Sequence, residues 1–267
     1  MSEPEETIEI TGRAVRLYRS SPDADATINR QVSLRDFLRE IAASSSQRAL
    51  HQIPLLPPGA RWAIVRGRSL VVAVEQSPQV RRISWSEKTL DEPGSYRQTY
   101  LAVPYIVYLL LFHDGAFEEM RLYYRAAPLA SEDDALCMPN LWNVAGSETP
   151  VSRCRVCLRG RPPFDDLTVA GQAQTAIEFF WSAGFNLDVE SHCFRRAAGL
   201  DARIATLDAW EGTSAADPLF PLAVRWEESG LSLRKAGEHL LEWRGAARPL
   251  EDASDLADLL YRLNELP

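Results

Sequence analysis

Residues 102–112 read Ala-Val-Pro-Tyr-Ile-Val-Tyr-Leu-Leu-Leu-Phe, the most apolar window of the chain. The window is too short to span a bilayer as a helix. Pro104 and the β-branched and aromatic residues favour an extended backbone. It therefore reads as a buried central strand, the end of a longer run over 99–112. Asp114-Gly115 follows at once, a dipeptide suited to a tight hairpin because both positions tolerate positive φ. Residues 117–125 then supply the returning strand. Upstream, 62–65 and 70–75 flank Arg66-Gly67-Arg68, a second hairpin, and 80–85 adds a further strand. Strands joined by short turns in this way make an antiparallel meander.

Helical patterns lie on both sides. Residues 33–47 carry Leu34, Phe37, Leu38 and Ile41 at helical spacing, with Ser33 and Asp36 at a capping-box-like start. Pro54, Pro57, Pro58 and Gly59 end that segment. Residues 129–153 are irregular and polar, a long loop of the kind that carries function. Residues 153–158 suit a short extended piece, and 170–183 a helix with Ala173, Ala176, Ile177 and Phe180 on one face. Residues 220–226 and 239–243 read as a late strand pair, and 252–266 as an amphipathic helix on Leu256, Leu259, Leu260 and Leu263. The expected class is α+β. It comprises an N-terminal extension over 1–54, a core over 55–190, and C-terminal strands and helix over 191–267 packed on the core.

Composition narrows the function classes. Of 267 residues, 46% are hydrophobic and 25% charged, and 29 Lys and Arg against 37 Asp and Glu leave a net charge of -8. That balance argues against a general nucleic-acid binder. The start, Met1-Ser-Glu-Pro-Glu-Glu, is the reverse of a signal peptide. A cytoplasmic protein without a membrane partner is the expectation. There is no Gly-rich phosphate loop, Gly-x-Ser-x-Gly or His-Glu-x-x-His, so no cofactor is expected. His113, at the Asp114-Gly115 turn, is expected to be exposed. His192 beside Cys193 reads as loop, and Asp165 and Asp166 as solvated residues that could orient an incoming nucleophile.

The four cysteines are Cys137, Cys154, Cys157 and Cys193. Cys154-Arg-Val-Cys157 has metal-ligand spacing, so one reading is a zinc-stabilised interaction module using all four. If 153–161 is extended, side chains alternate. Cys154, Val156 and Leu158 then share an apolar face, while Cys157 lies among Arg153, Arg155, Arg159 and Arg161. Guanidinium groups favour a thiolate, the environment of a reactive cysteine. Packing of both cysteines as small hydrophobes is the alternative.

Met138-Pro139-Asn140-Leu141-Trp142-Asn143-Val144, the turn-rich stretch 145–150, and then Val156-Cys157-Leu158 after a strand meander resemble the ubiquitin-conjugating enzymes. In that family a His-Pro-Asn element precedes the cysteine that accepts the modifier. More narrowly, the chain is similar to the bacterial ubiquitin-conjugating-enzyme-like proteins of ubiquitin-like operons and the PRTRC plasmid system, some tied to antiphage defence. Pro104-Tyr105-Ile106-Val107, Tyr124-Arg125-Ala126-Ala127-Pro128-Leu129 and Phe180-Trp181-Ser182-Ala183-Gly184-Phe185-Asn186 extend the likeness over about 55–190.

The resemblance implies a conjugating-enzyme-like core and a thioester-forming Cys157. Asn140 would support the oxyanion or the nearby loop, with Asn143 as its rival for that place. It also implies a ubiquitin-like modifier, an activating enzyme and a deconjugating protease from the same operon as partners. A catalytically inactive variant that only binds modifier or activating enzyme is the other outcome within the family. Met138 stands where the family has histidine, and Asn140 precedes Cys157 by 17 positions, longer than the usual eukaryotic interval.

Overall fold

The computed structural model describes residues 5–10, 14–21, 24–33, 55–88, 96–146, 153–160, 162–165 and 167–247. The chain forms two units, residues 1–51 with 245–267, and residues 52–244. The first holds an antiparallel sheet of β1 (Glu5–Ile10), β2 (Ala14–Ser21) and β3 (Ala24–Ser33) in that order. No strands were expected there, although Glu-Thr-Ile-Glu-Ile and Val-Arg-Leu-Tyr-Arg alternate with the period-two signature of a strand. Ser33 closes β3 instead of starting a helix. The remainder of the 33–47 helix and the whole 252–266 helix lie outside the described residues.

The second unit is built on β4 (Ala60–Arg66), β5 (Ser69–Gln76), β6 (Gln79–Trp85), β7 (Arg97–Val103), β8 (Tyr105–His113) and β9 (Ala116–Arg125). Short strands β10 (Ala135–Cys137), β11 (Gly184–Phe185) and β12 (Glu228–Ser232) join them. One sheet runs β12-β10-β9-β8-β5-β4 and another β11-β6-β7. The α+β class holds. The β8–β9 turn has positive φ at both Asp114 and Gly115, 50° and 79°, as the dipeptide demands.

The 99–112 run is not one strand. Pairing proceeds without a slip from Ser69↔His113 to Gln76↔Ile106 in one sheet and from Gln79↔Val103 to Trp85↔Arg97 in the other. The same register puts Pro78 opposite Pro104. Neither proline has an N–H to give, so the ladder fails on both strands at one point. There the long hairpin passes from one sheet into the next.

Helix α1 (Val169–Ser182) matches the expected 170–183, capped by Thr168, whose hydroxyl accepts from Gly171 N–H. It buries Ala173, Ala176, Ile177, Phe180 and Trp181. Trp181 Nε1 donates to the Tyr108 hydroxyl at 2.6 Å, and β8 is buried from Ile106 through Phe112. Each such apolar side chain contributes about 1.5–3 kcal/mol on leaving water.

Among the described residues, helices α2 (Cys193–Ala198), α3 (Leu207–Ala216) and α4 (Leu233–Ala247) follow. Helix α3 seals the open edge of β7. Ser214 Oγ accepts from Ala102 N–H and Trp210 Nε1 donates to Ala102 C=O, both at 2.8 Å. An exposed strand edge is thereby closed to other chains.

The late strand pair is overturned. Residues Phe220–Ala223 form a 3-10 turn around Pro221, and 239–243 lie inside α4. Leu233, Ala236, Leu240 and Leu241 are buried on it, a helical spacing that the short run His-Leu-Leu-Glu-Trp does not reveal. Among the described residues, no helix is long and apolar enough to cross a membrane.

Candidate functional site

Of the extended piece expected over 153–158, Arg155 and Val156 pair as single bridges, one to each side, after a turn at 153–154. Val156 N–H donates to Met120 C=O at 2.9 Å and Leu122 N–H to Cys154 C=O at 3.0 Å, docking the segment on β9. On the other side Ala145 N–H donates to Arg155 C=O and Cys157 N–H to Asn143 C=O, both at 2.8 Å. The resulting bridges are Arg121↔Arg155 and Val144↔Val156. The expected alternation holds here: Cys154 and Val156 are buried, Arg155 is exposed and Cys157 half-buried. The segment begins at Cys154 in the left-handed region, φ 65°.

The thiols separate sharply. Burial pushes Cys154 and Cys193 up to about 12 and raises Cys137, because a thiolate loses its hydration in an apolar surround. Cys154 Sγ rests 3.3 Å from Met138 Sδ, within the core. Among the described residues, no group of three or more His, Cys, Asp or Glu is arranged to hold a metal ion. The four cysteines of the zinc reading do not converge.

Cys157 lines an open cleft of about 750 Å³ together with Arg155, Glu118, Glu119 and Asp165. Phe117 and Phe164 form part of its wall, their rings 5.0 Å apart. A β-bulge shapes the β9 side. Leu111 faces Glu119 and Phe112 faces Phe117, which leaves Glu118 as the extra residue. Gln172 of α1 then takes the place of a strand neighbour, accepting from Phe117 N–H and donating to Gly115 C=O, both at 2.8 Å.

The expected collar of free arginines around Cys157 is not what forms. Arg155 Nε stands 3.4 Å from Glu119 Oε2. Arg159 binds Asp188 at 3.0 Å and also Asn186, and Arg153 donates to Ser229 C=O at 3.3 Å. Arg161 lies outside the described residues. The reason is long-range: β9 and the chain after α1 bring acceptors that spacing along one strand does not show. Glu119 also accepts from Arg121 Nε at 3.0 Å, and Arg121 is completely buried.

The two asparagines differ. Asn143 is fully buried with φ 59°, and its Nδ2 donates to Gly184 C=O at 2.9 Å. Its carbonyl is the one that holds Cys157 N–H, so Asn143 is tied directly to the thiol segment. Asn140 is also buried, but neither amide atom has a hydrogen-bond partner among the described residues. Asp165 reaches the cleft wall, and Asp166 lies outside the described residues. His192 is exposed. His113, expected to be exposed, is half-buried against Ser69 Oγ at 3.1 Å.

Sequence reasoning missed Glu119, Arg121 and Gln172. The signal for the first two was present, since opposite charges two apart in a strand share one face. Comparison with protein-family models, curated proteins and solved structures found no match to this chain.

Proposed function

We propose that this protein carries a ubiquitin-like modifier as a thioester on Cys157, on a conjugating-enzyme-like core spanning about 55–190. The carrying observation is that Cys157 alone of the four thiols lines the cleft, with its backbone pinned by Asn143. Element order supports the reading. Four strand passes (β4, β5–β6, β7–β8 and β9) are followed by the Pro139-Asn140 loop, the Val156-Cys157-Leu158 segment and α1.

The chemistry needs little beyond the thiol. The Cys157 thiolate attacks the modifier's C-terminal carbonyl, held as a thioester on the activating enzyme. One C–S bond forms, the old one breaks, and the activating enzyme's thiolate leaves. An acceptor nucleophile later attacks the same carbonyl and returns Cys157 as thiolate. Asn143 Nδ2 is engaged by Gly184 C=O, so its part is to hold the thiol segment rather than to donate to an oxyanion.

The test uses a ubiquitin-like modifier, its activating enzyme and ATP on a non-reducing gel. A thiol-sensitive adduct is expected with the wild type and with Cys154→Ser, and none with Cys157→Ser. Absence of the adduct with a competent activating enzyme contradicts the carrier and leaves a protein that only binds these partners.

A further inference from the structure

A second pocket, about 290 Å³, lies where β6 ends and β7 begins. It is lined by Trp85, Glu87 and Arg97, by Phe194 of α2, and by Leu207 and Asp208 in the first turn of α3. It shares no lining residue with the thiol cleft.

Two of its walls are aromatic and held in place. Trp85 pairs with Arg97 across the strands. Behind both wall rings stands the completely buried Trp142, 5.7 Å from the Trp85 ring and 5.1 Å from that of Phe194. Trp85 is itself buried, and its Nε1 has no hydrogen-bond partner among the described residues. A buried indole N–H ordinarily has one, so the pocket carries a donor in want of an acceptor.

The charges of the lining are unequal. Among the described residues, the exposed Glu87 and Asp208 stand with one cation, Arg97. That guanidinium is already shared: Nη1 donates to Asp208 Oδ1 at 2.8 Å and Nη2 to Glu211, three positions on along α3. Acid therefore exceeds base. The positive end of α3 is answered within the chain as well, since Thr206 Oγ1 accepts from Ala209 N–H and Asp208 sits in the first turn. An anion entering here meets like charge. A cation meets carboxylates and two π faces, the setting that favours it beyond simple ion pairing.

We propose that this pocket takes a basic side chain, guanidinium or ammonium, presented by a partner protein. The cation packs on the Trp85 and Phe194 rings against Glu87 and Asp208. The peptide carbonyl beside that side chain supplies the acceptor that the Trp85 N–H lacks. The net charge of -8 draws a basic partner toward the protein as a whole, and the pocket gives it one fixed point of attachment. The site is separate from Cys157 and does not depend on the proposed carrier.

The test is titration of the full chain with N-acetyl-arginine amide, followed through the Trp85 indole N–H resonance, which is identified by its loss in Trp85→Phe. Saturable binding in the millimolar range is expected, as suits a single side chain taken from a larger interface. N-acetyl-glutamine amide keeps the carbonyls without the charge and is expected to bind about fivefold more weakly. Glu87→Gln, at an exposed position, is expected to weaken the arginine probe about two- to fivefold and to lessen its sensitivity to salt. Asp208→Asn should act in the same direction, and Cys157→Ser should change nothing. A resonance that does not move, equal affinity for the neutral probe, or an unchanged affinity in Glu87→Gln overturns the inference. Tighter binding of N-acetyl-glutamate amide than of the arginine probe also overturns it and makes the pocket an anion site served by Arg97.

Discussion

Replacing Arg121 by methionine is expected to cost about 3–5 kcal/mol of folding stability, measured as a lower denaturant midpoint. Arg121 is completely inaccessible and donates to Glu119 Oε1 at 3.0 Å, while Glu119 is itself nearly fully buried. Removing one partner leaves a carboxylate out of water with the half-exposed Arg155 as its remaining ion-pair partner among the described residues. Replacing both, as Glu119→Leu with Arg121→Met, deletes two desolvated charges together and is expected to be far less costly than the single change. The difference is a coupling energy that a double-mutant cycle isolates. A single-variant cost below about 1 kcal/mol would mean that the pair is not sealed from water as described.

Asn143 is the second position with a large expected effect. Its φ of 59° lies where asparagine is tolerated and alanine is strained by about 1 kcal/mol. Its Nδ2 satisfies Gly184 C=O in a buried setting, and losing that bond costs about 1–2 kcal/mol more. Asn143→Ala should therefore lose about 2–3 kcal/mol, and Asn143→Gly about 1 kcal/mol less because glycine accepts the backbone. Asn140→Ala is the control. Neither of its amide atoms is partnered among the described residues, so its removal should cost less than Asn143→Ala. Thermal unfolding of the three variants gives the order, and an Asn140→Ala loss equal to or larger than that of Asn143→Ala would reverse the assignment.

How much of this was legible beforehand depends on the range of the interaction. The hairpin at Asp114-Gly115, the buried β8 and the face of α1 are local patterns, and each appears where the sequence puts it. The bend at Pro78 and Pro104 is written in the sequence as two prolines, but only the strand register brings them opposite each other. The run 239–243 was too short to separate helix from strand, and its true period emerges only over 233–241. At the site, alternation along 153–157 correctly put Cys154 inward and Cys157 toward the cleft. It could not show Glu119, Asn186 or Asp188, because these arrive from β9 and from beyond α1 and take up the arginines that the sequence left around the thiol. Spacing alone likewise could not choose between Asn140 and Asn143. The choice turns on one backbone hydrogen bond, Cys157 N–H to Asn143 C=O.

The proposed carrier requires Cys157 to be the single reactive thiol. Brief alkylation of the native protein near neutral pH, followed by peptide mapping, tests it directly. Burial pushes Cys154 and Cys193 up to about 12 and raises Cys137, so all three hold their protons there. Cys157 in the cleft is expected to be modified first, Cys137 far more slowly, and Cys154 and Cys193 only after unfolding. Modification of Cys137 or Cys154 ahead of Cys157, or of none of the four before denaturation, would contradict it.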